Sequence, residues 1–533
     1  MLVRCWILGC WVCAVSPAFA DPPAKAASGL DAPALAKRIE YHLATGWTAS
    51  KAEPAPLAED SEFLRRVSLD LTGRIPSVAD VRAFLDDGSP DKRQRLVDHL
   101  LESPHFVTHF TSVWRSLLVP EATSNFQLRM LLPTFDSWLR KQIAGNVGYD
   151  TLVRGLLTTP LVNENRRAMM VNPYGDGSEP TALAFFMAKE VKPENLAAAT
   201  ARLFLGIRLE CAQCHDHPQA TWKREQFWSY AAFFAGIQRQ GQEGFYTPVR
   251  EFNDRHELPI PGKEQVVQAL FLDGKEPQFE YKVPARATLA KWITSGENPY
   301  FAKAGVNRFW AHFFGIGLIE PIDDLSKDNQ PSHPELLEEL AQQFAANQFD
   351  IKYLIRAIIL SRPYQLSSTL THASQEDARL FARMAVKGLS AEQLYDSLVQ
   401  ATGYRDQTPI NQRTVAGGVR SEFLTKFANP EHRTEAQTSI LQALYLMNGH
   451  FTAGVTSLER SELLAAVADS PFLDPDQQVE TLFLAALSRR PRAEESDRLV
   501  KYVQSGGPRK SGRAALGDVY WALLNCPEFI LNH

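Results

Sequence analysis

Ser332-His333-Pro334-Glu335-Leu336-Leu337-Glu338-Glu339-Leu340-Ala341-Gln342-Gln343-Phe344 is the stretch on which the fold class turns. It opens with S-x-x-E, a capping box in which the serine hydroxyl accepts a first-turn amide and the glutamate reaches back to the serine N–H. Leu336, Leu337, Leu340 and Phe344 then recur at the three-to-four spacing of a helix with one buried face.

The same grammar appears along the chain. Ser77-Val78-Ala79-Asp80 follows Pro76 and leads into Val81, Phe84 and Leu85. Ser89 precedes Pro90, a residue suited to a first helical position, ahead of Leu96, Val97 and Leu100. Asp474-Pro475-Asp476-Gln477 introduces Val479 to Leu487, and Pro193-Glu194 opens a helix that stops at Gly206. Alternating apolar–polar runs are few. Residues 246–283, rich in Pro, Gly and charge with short β-branched and aromatic pieces, break the pattern. The expectation is a mainly α, multi-helical protein with two helical domains joined by an irregular Pro/Gly-rich connector carrying a short hairpin. Its divisions fall at residues 1–20 (signal peptide), 21–54 (N-terminal segment), 55–240 (first domain), 241–283 (connector) and 284–533 (second domain).

Composition agrees with globular domains. The 533 residues are 45% hydrophobic and 22% charged, which excludes disorder, collagen-like repeats and a polytopic membrane protein. A net charge of −5 gives no general attraction to nucleic acid or anionic lipid, so neither is an expected partner. The N-terminus reads as an export signal: Arg4, an apolar run from Cys5 to Val15, Pro17, and Ala18-Phe19-Ala20 before Asp21. That run is shorter than the roughly 20 residues a spanning helix needs, and no later stretch supplies one, so no transmembrane helix is expected after cleavage. The expected location is the periplasm or cell surface. Cleavage leaves Cys211, Cys214 and Cys526, an odd number for an oxidising compartment.

Two of those cysteines lie in Cys211-Ala212-Gln213-Cys214-His215, the attachment signature of a c-type haem. Two thiols three residues apart reach the two vinyl groups of one porphyrin, and the next residue presents an imidazole to the iron. Three other fates stay open. Cys211, Cys214, His215 and His217 supply four zinc donors, although within seven residues. C-x-x-C is also a redox dithiol, and it is a short-range disulfide. Asp216, between the two imidazoles, is a further candidate. Trp222, Phe227, Trp228, Tyr230, Phe233 and Phe234 follow closely; aromatics of this kind wall porphyrins but more often form plain core.

A second constellation comprises Arg308 and His312, four apart and so on one helix face, followed by Asp323-Asp324, which would pair with them or hold a cation. A salt-bridged helix and turn explains the same residues without function. No G-x-S-x-G, H-E-x-x-H, Walker loop or G-x-G-x-x-G occurs.

Phe63-Leu64-Arg65-Arg66-Val67-Ser68-Leu69-Asp70-Leu71-Thr72-Gly73-Arg74-Ile75-Pro76 and Cys211-Ala212-Gln213-Cys214-His215-Asp216-His217-Pro218 resemble the planctomycete cytochrome-c-like domain of unknown function. Residues 285–366 are similar to its companion C-terminal domain, in Val306 to His312, Phe314 to Leu318, Pro321 to Asp324 and Ser332 to Leu337. Gln219-Ala220-Thr221-Trp222 departs from that pattern, in which an aromatic and an acidic residue precede the tryptophan. The resemblance implies an exported, mostly helical envelope protein with a cytochrome-like site and no established activity. Two classes of function follow. One is a redox protein carrying covalent haem c and meeting periplasmic redox partners. The other is a non-redox binding or scaffold protein with a structural zinc or a disulfide at Cys211 and Cys214, acting beside carbohydrate-processing proteins.

Overall fold

A computed structural model describes residues 29–161, 180–216, 222–239, 249–405, 418–427 and 450–533. The export signal and His217 lie outside the described residues. The chain is built from helices, with three two-stranded ribbons among the described residues.

The first helix, Ala32–Ser50, starts where the Asp31 carboxylate accepts the Ala34 amide, and it buries Leu35, Ile39, Leu43 and Trp47, one residue per turn. This face packs on the helices Pro334–Ala346 and Ile351–Leu360 from the far end of the sequence. On its rim, Glu339 accepts Arg38 at 2.7 Å and His42 at 2.6 Å. The next helix, Asp60–Thr72, is buried at every residue from Phe63 to Leu71. It ends at Gly73, whose positive φ of 70° suits glycine, and where a Cβ would lie 2.4 Å from the His109 ring.

The apolar interior gathers into two bodies. The larger runs from Ala32 to Met384 and takes in Leu484. The smaller collects Leu394 to Phe529 and takes in Leu69 and Ile75. The Asp60–Thr72 helix therefore serves both, with Phe63, Leu64, Val67 and Leu71 in one and Leu69 in the other.

The larger core takes in residues from both sides of the connector and from its described part, residues 249–283. The strand pairs Ile237–Arg239 with Val249–Glu251 and Glu257–Pro259 with Val266–Gln268 form two hairpins rather than one. Their buried residues Val249, Ile260, Val267 and Leu272 enter the larger core. Phe271 stacks on both Phe233 (5.1 Å) and Trp292 (5.0 Å), one from each side of the connector. Arg286 donates to Glu251 at 2.5 Å and to the Leu157 carbonyl. Proline and glycine shape the turns here, while the apolar residues between them bind the connector down.

Helix starts follow the sequence with two shifts. Ser77–Asp80 and Asp474–Gln477 both form full capping boxes. At the quoted stretch, however, the helix Pro334–Ala346 has His333 as its N-cap. Ser332 is held elsewhere, its amide (2.8 Å) and hydroxyl (3.2 Å) both donating to the Leu318 carbonyl. Likewise Ser89 donates to Asp87 ahead of a helix that begins at Lys92.

Candidate functional site

The helix Pro193–Thr200 continues into one π-type turn, Ala201–Leu205, and stops at Gly206 in the left-handed conformation. A Cβ there would lie 2.3 Å from the Leu325 side chain, and the Gly206 carbonyl accepts the Leu325 amide at 2.7 Å. The chain then drops Ile207 and Leu209 into the core and makes a single 3-10 turn, Glu210–Gln213. Ala212 is the buried plug of that turn; Cys211, Cys214, His215 and Asp216 face solvent. Both thiols are free.

The turn is held from behind by the helix Arg224–Ala231. The Gln213 carbonyl accepts Trp228 Nε1 at 3.1 Å and Arg224 Nε at 3.2 Å, and the Asp216 carboxylate accepts the Arg224 amide at 2.9 Å. Asp216 thus places negative charge at that helix's positive end. His215 Nδ1 lies 2.7 Å from the Asp216 carbonyl, which fixes the proton on Nδ1 and leaves the Nε2 lone pair outward. Phe227, Trp228, Tyr230, Phe233 and Phe234 are buried in the larger core and Trp222 packs against it, so these aromatics act as core.

Exposed thiols at C-x-x-C and an imidazole with its far nitrogen free are the donor set for thioether attachment and a proximal iron ligand. These residues fit a c-type haem. The alternative zinc set includes His217, which lies outside the described residues. Among the described residues no three His, Cys, Asp or Glu side chains converge as a metal site.

The second constellation is divided between two places. Asp323 accepts Arg208 Nη2 at 2.6 Å and Nε at 2.8 Å, while Arg202 reaches Glu210 at 3.1 Å. Asp323 therefore tethers the approach to the C-x-x-C-H turn to the segment after the Phe301–Phe314 helix. Asp324 caps its own turn, accepting the Ser326 amide at 3.2 Å. Arg308 reaches the Leu203 carbonyl at 3.4 Å, and burial lowers its pKa. His312 turns away from all three, with Nε2 3.3 Å from the Asp70 carbonyl and its ring 6.1 Å from that of His109. Sharing a helix face with Arg308 did not give His312 the same partners, because the helix passes from the C-x-x-C-H side of the core to the Asp70 side.

Asp70 was missed as a centre of its own. It is 3% exposed, and its carboxylate accepts Lys387 Nζ, Asn532 Nδ2 and Tyr364 Oη, each at 2.8 Å. Beside it, Arg66 donates to the carbonyls of Tyr364 (2.6 Å) and Leu366 (2.9 Å), and Arg65 to those of Ala486 (3.0 Å) and Phe529 (2.7 Å). Burial, His312 and Lys387 together push the His109 pKa down to about 3. The signal was present: three ionisable residues inside Leu64-Arg65-Arg66-Val67-Ser68-Leu69-Asp70-Leu71 are costly in a buried helix unless each is partnered.

Residues 38–239 match the family model PSCyt2, a protein of unknown function (DUF1549), and residues 285–417 match PSD1, a protein of unknown function (DUF1553). No curated protein and no solved structure matches the chain.

Proposed function

For a chain that carries the PSCyt2 and PSD1 domains of unknown function in that order, we propose that it is an exported cell-envelope protein that holds a covalent c-type haem at Cys211, Cys214 and His215 and works by electron transfer or related redox chemistry. The observation that carries this reading is the orientation of that pentapeptide. Both thiols face solvent, and the His215 Nδ1 contact to a carbonyl leaves Nε2 free. Cys211 and Cys214 would form the two thioethers and His215 would be the proximal ligand. The bound group would supply a one-electron couple.

The chain's own residues do the positioning. Trp228 and Arg224 hold the Gln213 carbonyl, so the backbone between the two thiols is fixed on a buried helix. Asp216 fixes the imidazole through its carbonyl and the neighbouring helix through its carboxylate. The Arg208–Asp323 pair joins the turn to the companion domain, so that domain helps to set the position of the redox site. No helix among the described residues is long and apolar enough to cross a membrane, and the periplasm or cell surface is the proposed location.

Paired variants test the reading. Protein from a host with haem-c maturation machinery is expected to show c-type absorption bands when reduced. Cys211→Ala with Cys214→Ala removes them, and His215→Ala abolishes the low-spin spectrum even if the thioethers survive. His217→Ala leaves the chromophore in place. A colourless protein holding one zinc per chain, lost on His217→Ala, would replace this reading with the structural-metal alternative.

A further inference from the structure

A cleft of about 380 Å³ is bounded by the helices Asp60–Thr72, Val78–Asp86 and Lys92–Glu102 and by the first turn of Pro104–Leu118. Its apolar wall is Leu64, Ile75, Phe84, Leu96 and Leu100. Its size is that of a small-molecule site.

The polar groups around it differ in whether they already have partners. Asp80 is taken by Ser77, and Asp87 by Ser89 and Arg95. Lys92 is taken by Asp60 at 2.6 Å. Arg74 has no carboxylate within ion-pair distance among the described residues; its guanidinium contacts the imidazole of His105. Half-buried against a second basic group, it feels the Asp396 and Asp80 carboxylates only from beyond ion-pair distance, so its guanidinium keeps donors for an anion. His99 stands on the same rim.

Deeper in the same cleft, Ser68 is 2% exposed and its hydroxyl has no hydrogen-bond partner. Leaving a buried hydroxyl unsatisfied is unfavourable, and an incoming oxygen would relieve it. Ser103 also lines the cleft; it is the N-cap of the 15-residue helix Pro104–Leu118 and the C-cap of Lys92–Glu102, so the start of one helix and the end of the other meet there.

We propose that this cleft binds an organic anion, its phosphate, sulfate or carboxylate head between Arg74, His105 and the Pro104–Leu118 helix start, and its apolar body on Leu64, Ile75 and Phe84. Ser68 donates to an oxygen of the bound molecule. Gln400, from the helix Ala391–Thr402, closes the far rim, and Ser397 of the same helix accepts the Ile75 amide at 3.3 Å. The site therefore lies on the seam between the larger and smaller cores, and an occupant touches both.

Titration calorimetry on the full chain tests this with phenyl phosphate, inorganic phosphate and benzyl alcohol. Phenyl phosphate is expected to bind once per chain and to raise the melting temperature. Inorganic phosphate and benzyl alcohol should each bind at least tenfold more weakly, because each supplies only half of the recognition. Arg74→Gln should weaken phenyl phosphate at least tenfold. Ser68→Ala, a buried change that removes only an oxygen, should weaken it severalfold with unchanged circular dichroism. Absence of saturable binding, phosphate or benzyl alcohol binding as tightly as phenyl phosphate, or full affinity in a folded Arg74→Gln or Ser68→Ala protein would each overturn the proposal.

Discussion

Asp70 is the buried carboxylate that holds Lys387 in place. It sits in the helix shared by both cores and neutralises Lys387 while accepting from Asn532 and Tyr364. Asp70→Ala leaves a half-buried ammonium without its counter-charge. The expected cost is about 3–5 kcal/mol, that of breaking a buried pair from one side, read by urea denaturation. His109 makes a second residue-scale prediction. Its folded pKa of about 3 lies below the ordinary value of 6.5, because burial, His312 and Lys387 all disfavour the cation. Between pH 6.5 and 3 the unfolded chain takes up a proton there that the folded chain refuses, so stability is full above pH 6.5 and falls as the pH drops through that window. His312, lowered chiefly by burial, works in the same direction. His109→Gln should flatten the acid side of the stability–pH curve; an unchanged slope would contradict this. Sequence spacing identified His312 and Arg308 as neighbours on a helix, yet the partners of His312 are Asp70 and His109, from helices more than 200 residues earlier. Helical spacing specifies which residues share a face and carries no information about what that face meets.

At the scale of elements, local chemistry was legible wherever it stayed local. Ser77 and Asp474 cap the helices they introduce because both halves of each box lie within four residues. Asp474→Ala is expected to cost about 0.5–2 kcal/mol in thermal or chemical denaturation. Ser332 fails as a cap because the Leu318 carbonyl, 14 residues earlier, captures both its amide and its hydroxyl. A tertiary partner overrides a local motif, and only the fold reveals the partner. The C-x-x-C-H turn shows the same division. Its spacing named Cys211, Cys214 and His215, but the support from Trp228, Arg224 and Asp323 comes from elements whose approach the sequence did not disclose. Gly206→Ala tests that support. The left-handed φ and the Leu325 contact make the substitution destabilising by about 1–3 kcal/mol, and the turn it launches should become more protease-sensitive.

At the scale of the whole molecule, the helical class was legible because periodicity repeats along the chain, whereas the grouping of helices was not. Proline and glycine at residues 241–283 marked a boundary by composition. Phe233, Phe271 and Trp292 form one stack across it, and Ala32–Ser50 joins the helices Pro334–Ala346 and Ile351–Leu360. A single proteolytic cut in the exposed Asp254-Arg255 turn is therefore expected to leave the two pieces associated under native conditions, running as one species on gel filtration. Separation without denaturant would contradict a continuous core. The proposed redox role rests on one covalent event, and the intact mass of the purified protein reads it directly. After expression with haem-c maturation machinery, the expected mass is that of the mature chain plus one haem, reverting to the bare chain when Cys211 and Cys214 are both alanine. A bare-chain mass from that same host would contradict haem attachment at Cys211 and Cys214.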